Sequence, residues 1–334
     1  MNIVVLDGYA VNPGDNPWDG LAALGSLEVY DRTSSGDIGE RGKDADIILA
    51  NKTPLRSENL AELERLRFVA VLATGYDNVD VVEAGRRGIP VANVPEYGTD
   101  SVAQHTMALL LALTNRVGEH DAAVKEGEWS ASSDFSFCRG ALLELAGKKI
   151  GIIGLGRIGR RVAAIARSFG MEILAYNPRS RDMELQFPVR WLGVRDLCTE
   201  SDVVTLHCPL SGDTVELVDE TFLSTMKRGA LFINTARGGL VREADLARAL
   251  AEGWIAGAGL DVVAREPMAG DNPLLHAPNC IITPHIAWAT LDARKRLMEA
   301  AVNNVAAFLR GELVNCVNSA YLAEAGKRRA PSGE

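Results

Sequence analysis

Short apolar runs separated by longer, polar, helix-compatible stretches recur from one end of the chain to the other. Ile3 to Leu6, Ile47 to Ala50, Phe68 to Leu72 and Pro90 to Asn93 form a first series, with stretches such as Ser57 to Leu66 between them. Brief apolar runs of this kind mark strands buried on both faces, and their alternation with helices predicts a parallel sheet. A second series follows at Ile150 to Ile153, Ile173 to Tyr176, Val203 to His207, Leu231 to Asn234, Gly257 to Val262 and Cys280 to Thr283. Between the two lies SVAQHTMALLLAL, Ser101 to Leu113, a long apolar helix, and then Glu119 to Gly147, which has few strand signals. A helical pattern from Leu291 to Leu309 and a polar tail, expected to be unstructured from Ala325, close the chain.

This is an α/β pattern, and 334 residues exceed what one core usually organises. Two domains with a cleft between them are expected, the chain crossing from one to the other at Ser101. Composition narrows the function classes. A hydrophobic fraction of 47% with 24% charged residues is that of an ordinary globular protein. A net charge of -9 argues against nucleic acid or an anionic membrane as the main partner, since both demand a basic face. Five cysteines, at 138, 198, 208, 280 and 316, form no CxxC pair, so neither a zinc site nor a disulfide framework is indicated. The start MNIVVLDG reads as a strand, with no signal-peptide pattern, and no run reaches membrane-spanning length. A cytoplasmic protein acting on small molecules is the expectation, with no metal required.

The strongest local signal is KIGIIGLGRIG, Lys149 to Gly159, an apolar strand running straight into Gly154, Leu155, Gly156, Arg157, Ile158 and Gly159. The first glycine permits a tight turn, the second lets a pyrophosphate approach the backbone, and the third lets helix and strand pack closely. Ile158, Val162, Ile165 and Phe169 then recur at helical spacing, which puts the phosphates at a helix N-terminus. The next strand ends at Tyr176-Asn177, where a carboxylate would otherwise take the adenosine ribose hydroxyls. Asn177 followed by Arg179 and Arg181 removes that carboxylate, so NAD(H) and NADP(H) both remain open as cofactors.

Seven ordered segments resemble the D-isomer-specific 2-hydroxyacid dehydrogenase family: ATGYDNVD, VPEYGTDSVAQHTMALLLAL, GLGRIGRRVA, LHCPL, NTARGGLV, GAGLDVVAREP and ITPHIAWAT. The resemblance implies a flavodoxin-like substrate domain, 1–100 plus 291–334, into which a Rossmann-type nucleotide-binding domain, 101–290, is inserted. It puts the family's catalytic residues at Arg237, Glu266 and His285. Reduction of a 2-oxo acid leaves negative charge on the carbonyl oxygen, which needs a proton, and His285 can supply one near neutral pH. Glu266 on the other ring nitrogen would favour the imidazolium. The guanidinium fork of Arg237 suits the substrate carboxylate, which backbone N–H groups of Thr74, Gly75 and Tyr76 would also hold.

The resemblance further implies that His207, Cys208, Pro209, Thr214, Thr235, Ala236 and Ala287 line the cofactor, with Asp261 near the nicotinamide carboxamide. Within the family, SVAQHT and HIAWAT are most similar to glycerate dehydrogenases, also called hydroxypyruvate reductases, with Trp288, Phe135 and Phe137 able to close a small pocket. Glyoxylate is a further candidate substrate. A homodimer through 101–147 is implied as well. The rival readings are a dinucleotide-sensing corepressor on the same fold, distinguished by lack of turnover, and a formate dehydrogenase, disfavoured by the glutamate at position 266.

Overall fold

The computed structural model describes residues 1–178, 185 and 187–329. The chain divides into two compact units, Met1–Gly98 together with the segment from Ala289 onward, and Thr99–Trp288. The crossing thus falls two residues before Ser101, at the start of a helix that runs Thr99–Asn115.

The first unit is built on a five-stranded sheet of β1 (Asn2–Val5), β2 (Ser26–Val29), β3 (Ile47–Ala50), β4 (Phe68–Val71) and β5 (Val91–Ala92). All pairings are parallel and the order is β2-β1-β3-β4-β5, the flavodoxin-like arrangement. β3 and β4 are buried at every position, as expected for runs rich in Ile, Val and Leu covered on both faces. The helix Leu291–Leu309 returns to this unit, where Phe308 stacks on Phe68 with ring centroids 4.6 Å apart. β2 has no counterpart among the sequence-predicted strands. It is an edge strand whose residues, SLEV, are mostly exposed, so it carries no apolar run.

The second unit holds β6 (Lys149–Ile153), β7 (Glu172–Tyr176), β8 (Arg190–Trp191), β9 (Val203–Leu206), β10 (Leu231–Asn234), β11 (Gly257–Leu260) and β12 (Cys280–Ile282). They form one parallel sheet in the order β8-β7-β6-β9-β10-β11-β12, a doubly wound sheet that reverses direction between β6 and β9. One face is covered by Thr99–Asn115 and Arg157–Ser168, whose Leu109, Leu110, Val162 and Ala166 meet Ile150, Ile152 and Ile233. The other face packs Phe222, Leu223, Leu246 and Leu250 against Phe232 and Leu260. The two-residue β8 is too short to leave a periodic signal. The C-terminal helix Ser319–Arg329 overrides the expectation of an unstructured tail from Ala325. Among the described residues no helix is long and apolar enough to cross a membrane.

Candidate active site

In an open α/β sheet, ligands bind beyond the carboxyl ends of the strands at the point where strand order reverses. In the second unit that point brings Gly154, after β6, against His207 and Cys208, after β9. Gly154 has φ +96°, and a Cβ there would stand 2.5 Å from the Cys208 nitrogen, so only glycine fits. A Cβ on Gly159 would lie 2.3 Å from the Gly154 carbonyl oxygen, the close packing of helix on strand that the motif predicted. A Cβ on Gly156 would meet nothing within 4 Å, which leaves open space directly before the helix Arg157–Ser168, and no side chain caps that N-terminus. These features fit a pyrophosphate, because helix N-termini offer unsatisfied N–H groups and a positive dipole end.

Around this turn the cofactor candidates fall into distinct settings. Leu155 is buried, Ile158 half-buried, and Arg157 and Pro209 exposed. Burial pushes the His207 imidazole down to about 3, although part of its surface stays open, and its Nε2 lies 3.0 Å from the Thr205 hydroxyl. The His207 imidazole is therefore neutral near pH 7. Burial also raises the Cys208 thiol. Thr214 donates its hydroxyl to the Pro209 carbonyl at 2.7 Å, closing the loop between them. Asn177 sits half-buried just past β7, and Arg179 and Arg181 lie outside the described residues.

The catalytic candidates stand on loops beyond the same strand ends. Arg237 follows β10 and is half-buried; its Nη1 donates to the Ala236 carbonyl at 2.7 Å. His285 follows β12, and its Nδ1 lies 2.6 Å from Glu266 Oε2, while Glu266 Oε1 accepts from the Val263 N–H at 3.3 Å. A carboxylate only accepts, so Nδ1 carries the proton, and His285 Nε2 has no protein partner among the described residues. The structure thus joins Glu266 and His285; no hydrogen bond or ion pair joins Arg237 to either of them among the described residues.

His285 adopts φ +55°, a conformation rare for residues with a Cβ. Asp261 holds the loop there: its carbonyl accepts the His285 N–H at 2.8 Å, and its carboxylate accepts from Thr283 Oγ1 at 2.6 Å and from the N–H groups of Ile286 and Ala287 at 2.9 and 2.8 Å. Burial works to raise this carboxyl, and bonds from His105, Thr283, Ala287 and Ile286 outweigh it and keep the group below the ordinary range. Asp261 has 1% of its surface exposed. Thr235 similarly turns its hydroxyl to Thr106, at 2.9 Å. Ala287 is buried and Trp288 half-buried.

Sequence reasoning missed two residues that shape the Arg237 turn. Asn234, fully buried, accepts from the Ala236 N–H at 3.0 Å and donates to the Arg237 carbonyl at 2.9 Å, fixing the backbone on both sides of the arginine. A Cβ on Gly238 would stand 1.9 Å from the Val263 carbonyl carbon, so only glycine lets this turn pass the chain that leads to Glu266. The usable signal was an asparagine at a strand end followed within four residues by glycine.

In the first unit, Thr74, Gly75 and Tyr76 follow β4. Thr74 turns its hydroxyl inward to the Val94 carbonyl at 2.9 Å, and the Thr74 carbonyl accepts from Asn93 at 2.7 Å. The three backbone N–H groups make no hydrogen bond to protein among the described residues, and Tyr76 is 38% exposed. Next to this loop, Asp7 accepts from the N–H groups of Asn51, Lys52 and Thr53 at 2.7, 2.5 and 2.7 Å, which locks the sheet's own reversal point between β1 and β3.

Residues 107–287 match the family described as D-isomer specific 2-hydroxyacid dehydrogenase, NAD binding domain. Over 321 residues the chain is 50% identical to a hydroxypyruvate reductase of Blautia hydrogenotrophica, covering 95% of this chain and 100% of that relative. A glycerate dehydrogenase of Methylorubrum extorquens is 40% identical over 85% of this chain and 88% of its own. Among solved structures, a D-lactate dehydrogenase from Aquifex aeolicus complexed with NAD and lactic acid superposes with a TM-score of 0.81 at 31% identity, covering 97% of this chain and 98% of that one. An NADPH-dependent glyoxylate/hydroxypyruvate reductase from Sinorhizobium meliloti, in complex with NADP and malonate, gives 0.82 at 28% identity, covering 96% and 97%.

Proposed function

Because the chain belongs to the D-isomer-specific 2-hydroxyacid dehydrogenase family, we propose that Arg237, Glu266 and His285 are its catalytic residues and that hydroxypyruvate, reduced to D-glycerate, is its preferred substrate. The protein is an NAD(P)-dependent oxidoreductase of the glycerate dehydrogenase and hydroxypyruvate reductase type. The nicotinamide cofactor, when bound, supplies the hydride that reaches the substrate's carbonyl carbon. His285 Nε2 delivers the proton that the carbonyl oxygen then needs. Glu266 stabilises the charged ring that donates it and holds that ring in one orientation, so no reorganisation is required as the proton moves. Arg237 engages the substrate carboxylate and draws charge toward the adjacent carbonyl oxygen. The free N–H groups of Thr74, Gly75 and Tyr76 bind the same carboxylate, and Trp288 borders the substrate.

The observation that carries this reading is the 2.6 Å bond between His285 Nδ1 and Glu266 Oε2, which leaves Nε2 as the ring's working atom. The cofactor contacts assigned by sequence stand in the same proposal, with Gly154 to Gly159 on the pyrophosphate. Asn177 brings no carboxylate to the ribose, which admits NADP(H) alongside NAD(H). A homodimer through 101–147 is supported by exposed apolar side chains on that segment, Val117 and Phe135 above all. A cytoplasmic location accords with five free cysteines.

Steady-state oxidation of NADH and NADPH with hydroxypyruvate, glyoxylate, pyruvate and 2-oxoglutarate tests the substrate. Hydroxypyruvate is expected to give the highest kcat/KM. Cofactor binding without turnover on any of the four would sink the catalytic reading, and a better kcat/KM with glyoxylate would sink the substrate assignment.

A further inference from the structure

We propose that His105, on the helix Thr99–Asn115, is a positioning residue for the proton-donating loop, acting through Thr283 and Asp261 on the backbone of His285. The proposal rests on the reading of His285 as proton donor.

The hydrogen-bond inventory at this point has one solution. Thr283 Oγ1 has a single hydrogen and lies 2.6 Å from Asp261 Oδ1, 2.9 Å from His105 Nε2 and 3.4 Å from the Leu260 carbonyl oxygen; the 2.6 Å contact with a carboxylate requires that hydrogen. Asp261 is ionised and can only accept, so Thr283 gives its hydrogen to the carboxylate. The hydroxyl is then an acceptor toward His105, whose Nε2 must carry a proton. That N–H also lies 3.4 Å from Asp261 Oδ1. His105 therefore supplies the donor that completes the Asp261 carboxylate and keeps Thr283 turned toward it.

The carboxylate in turn carries the loop. The N–H groups of Ile286 and Ala287 end on it, and the His285 N–H ends on the Asp261 carbonyl, so the residues on either side of the left-handed His285 hang from one aspartate. The same helix adds a second tie, Ser101 Oγ to the Ala287 carbonyl at 2.6 Å. A helix on the face of the sheet thus sets where the catalytic imidazole stands without touching it. A small displacement of a catalytic group costs on the order of 10- to 100-fold in rate, whereas the pyrophosphate turn at Gly154 to Gly159 lies on a different loop.

The test compares His105→Leu, His105→Gln and Thr283→Val with His285→Ala in the same assay, with cofactor affinity measured by fluorescence titration. Expected are a fall in kcat of about 10-fold or more for His105→Leu and Thr283→Val with cofactor Kd unchanged. His105→Gln, which still offers an N–H, is expected to stay within about threefold of wild type. Full kcat in His105→Leu, no rescue by glutamine, or a loss of cofactor affinity matching the loss of rate would each overturn the proposal. Should His105→Leu fail to fold, Thr283→Val breaks the same bridge from the loop side, and normal kcat there overturns it equally. Turnover surviving in His285→Ala would instead overturn the proton-donor reading, whatever the His105 variants do.

Discussion

Arg237 owes its presentation to neighbours that do no chemistry. Asn234 pins the turn on both sides of it, and Gly238 lets the turn cross the chain leading to Glu266. The guanidinium on this fixed backbone is half-buried, with Nη1 on the Ala236 carbonyl at 2.7 Å, and its remaining N–H donors form the fork proposed to meet the substrate carboxylate. Arg237→Lys keeps the charge and loses the fork. We expect kcat/KM for hydroxypyruvate to fall by about 100-fold or more with cofactor affinity unchanged, and a variant within a few-fold of wild type would remove bidentate recognition from the mechanism. At this scale the sequence is most legible where geometry restricts residue type, in the Gly154, Gly156 and Gly159 pattern, whereas Arg237, Glu266 and His285 were singled out by resemblance to a family. Asn234 left only the weak signal of an asparagine at a strand end with glycine following, because its effect depends on being buried at the end of β10, which local composition does not encode.

The element that positions His285, the proposed proton donor, is the loop after β12, and its anchor is Asp261 just past β11. The sequence marked Asp261 as a site residue from its place after an apolar strand, but the strand pattern could not tell a carboxylate turned toward a ligand from one turned under its own loop. What the structure adds is the burial of this carboxylate and the four protein donors around it. Because these donors hold the folded carboxyl below its unfolded value, the charge stabilises the fold above an unfolded pKa of about 3.9, and this contribution is lost as pH falls through the folded value. Asp261→Asn places an amide among N–H donors and is expected to cost about 3 kcal/mol near neutral pH. Its deficit relative to wild type should shrink below about pH 4, where the wild-type carboxyl also protonates. Denaturant melts at pH 7 and at acid pH check this, and a deficit independent of pH would show that the charge of Asp261 contributes nothing to folding. Elements whose sequence lacks an apolar run, β2 and β8, were invisible for the opposite reason: an exposed edge strand or a two-residue strand gains its hydrogen bonds from a neighbouring strand far along the chain.

For the molecule as a whole, alternating strands and helices made the α/β class and the two series of strands readable, while the split of the first unit between both ends of the chain came only from resemblance to a family. Assembly is the remaining question at this scale. On the segment proposed to dimerise, Phe135 is 90% exposed, Val117 67% and Trp129 51%, and each such side chain gains on the order of 1.5 to 3 kcal/mol when fully buried. Isolated exposed apolar residues are common on any surface, so the argument lies in their concentration along one stretch, Val117 to Phe135, of a helical arm with few strand signals. A second copy pairing through the same patch would bury them symmetrically, as a twofold contact requires. Light scattering after size exclusion is therefore expected to give about twice 35.8 kDa, and the double substitution Val117→Asp with Phe135→Asp to shift the protein toward half that mass. A wild-type mass equal to one chain at micromolar concentration would rule the dimer out. A dimer unaffected by the two aspartates would move the interface off this arm.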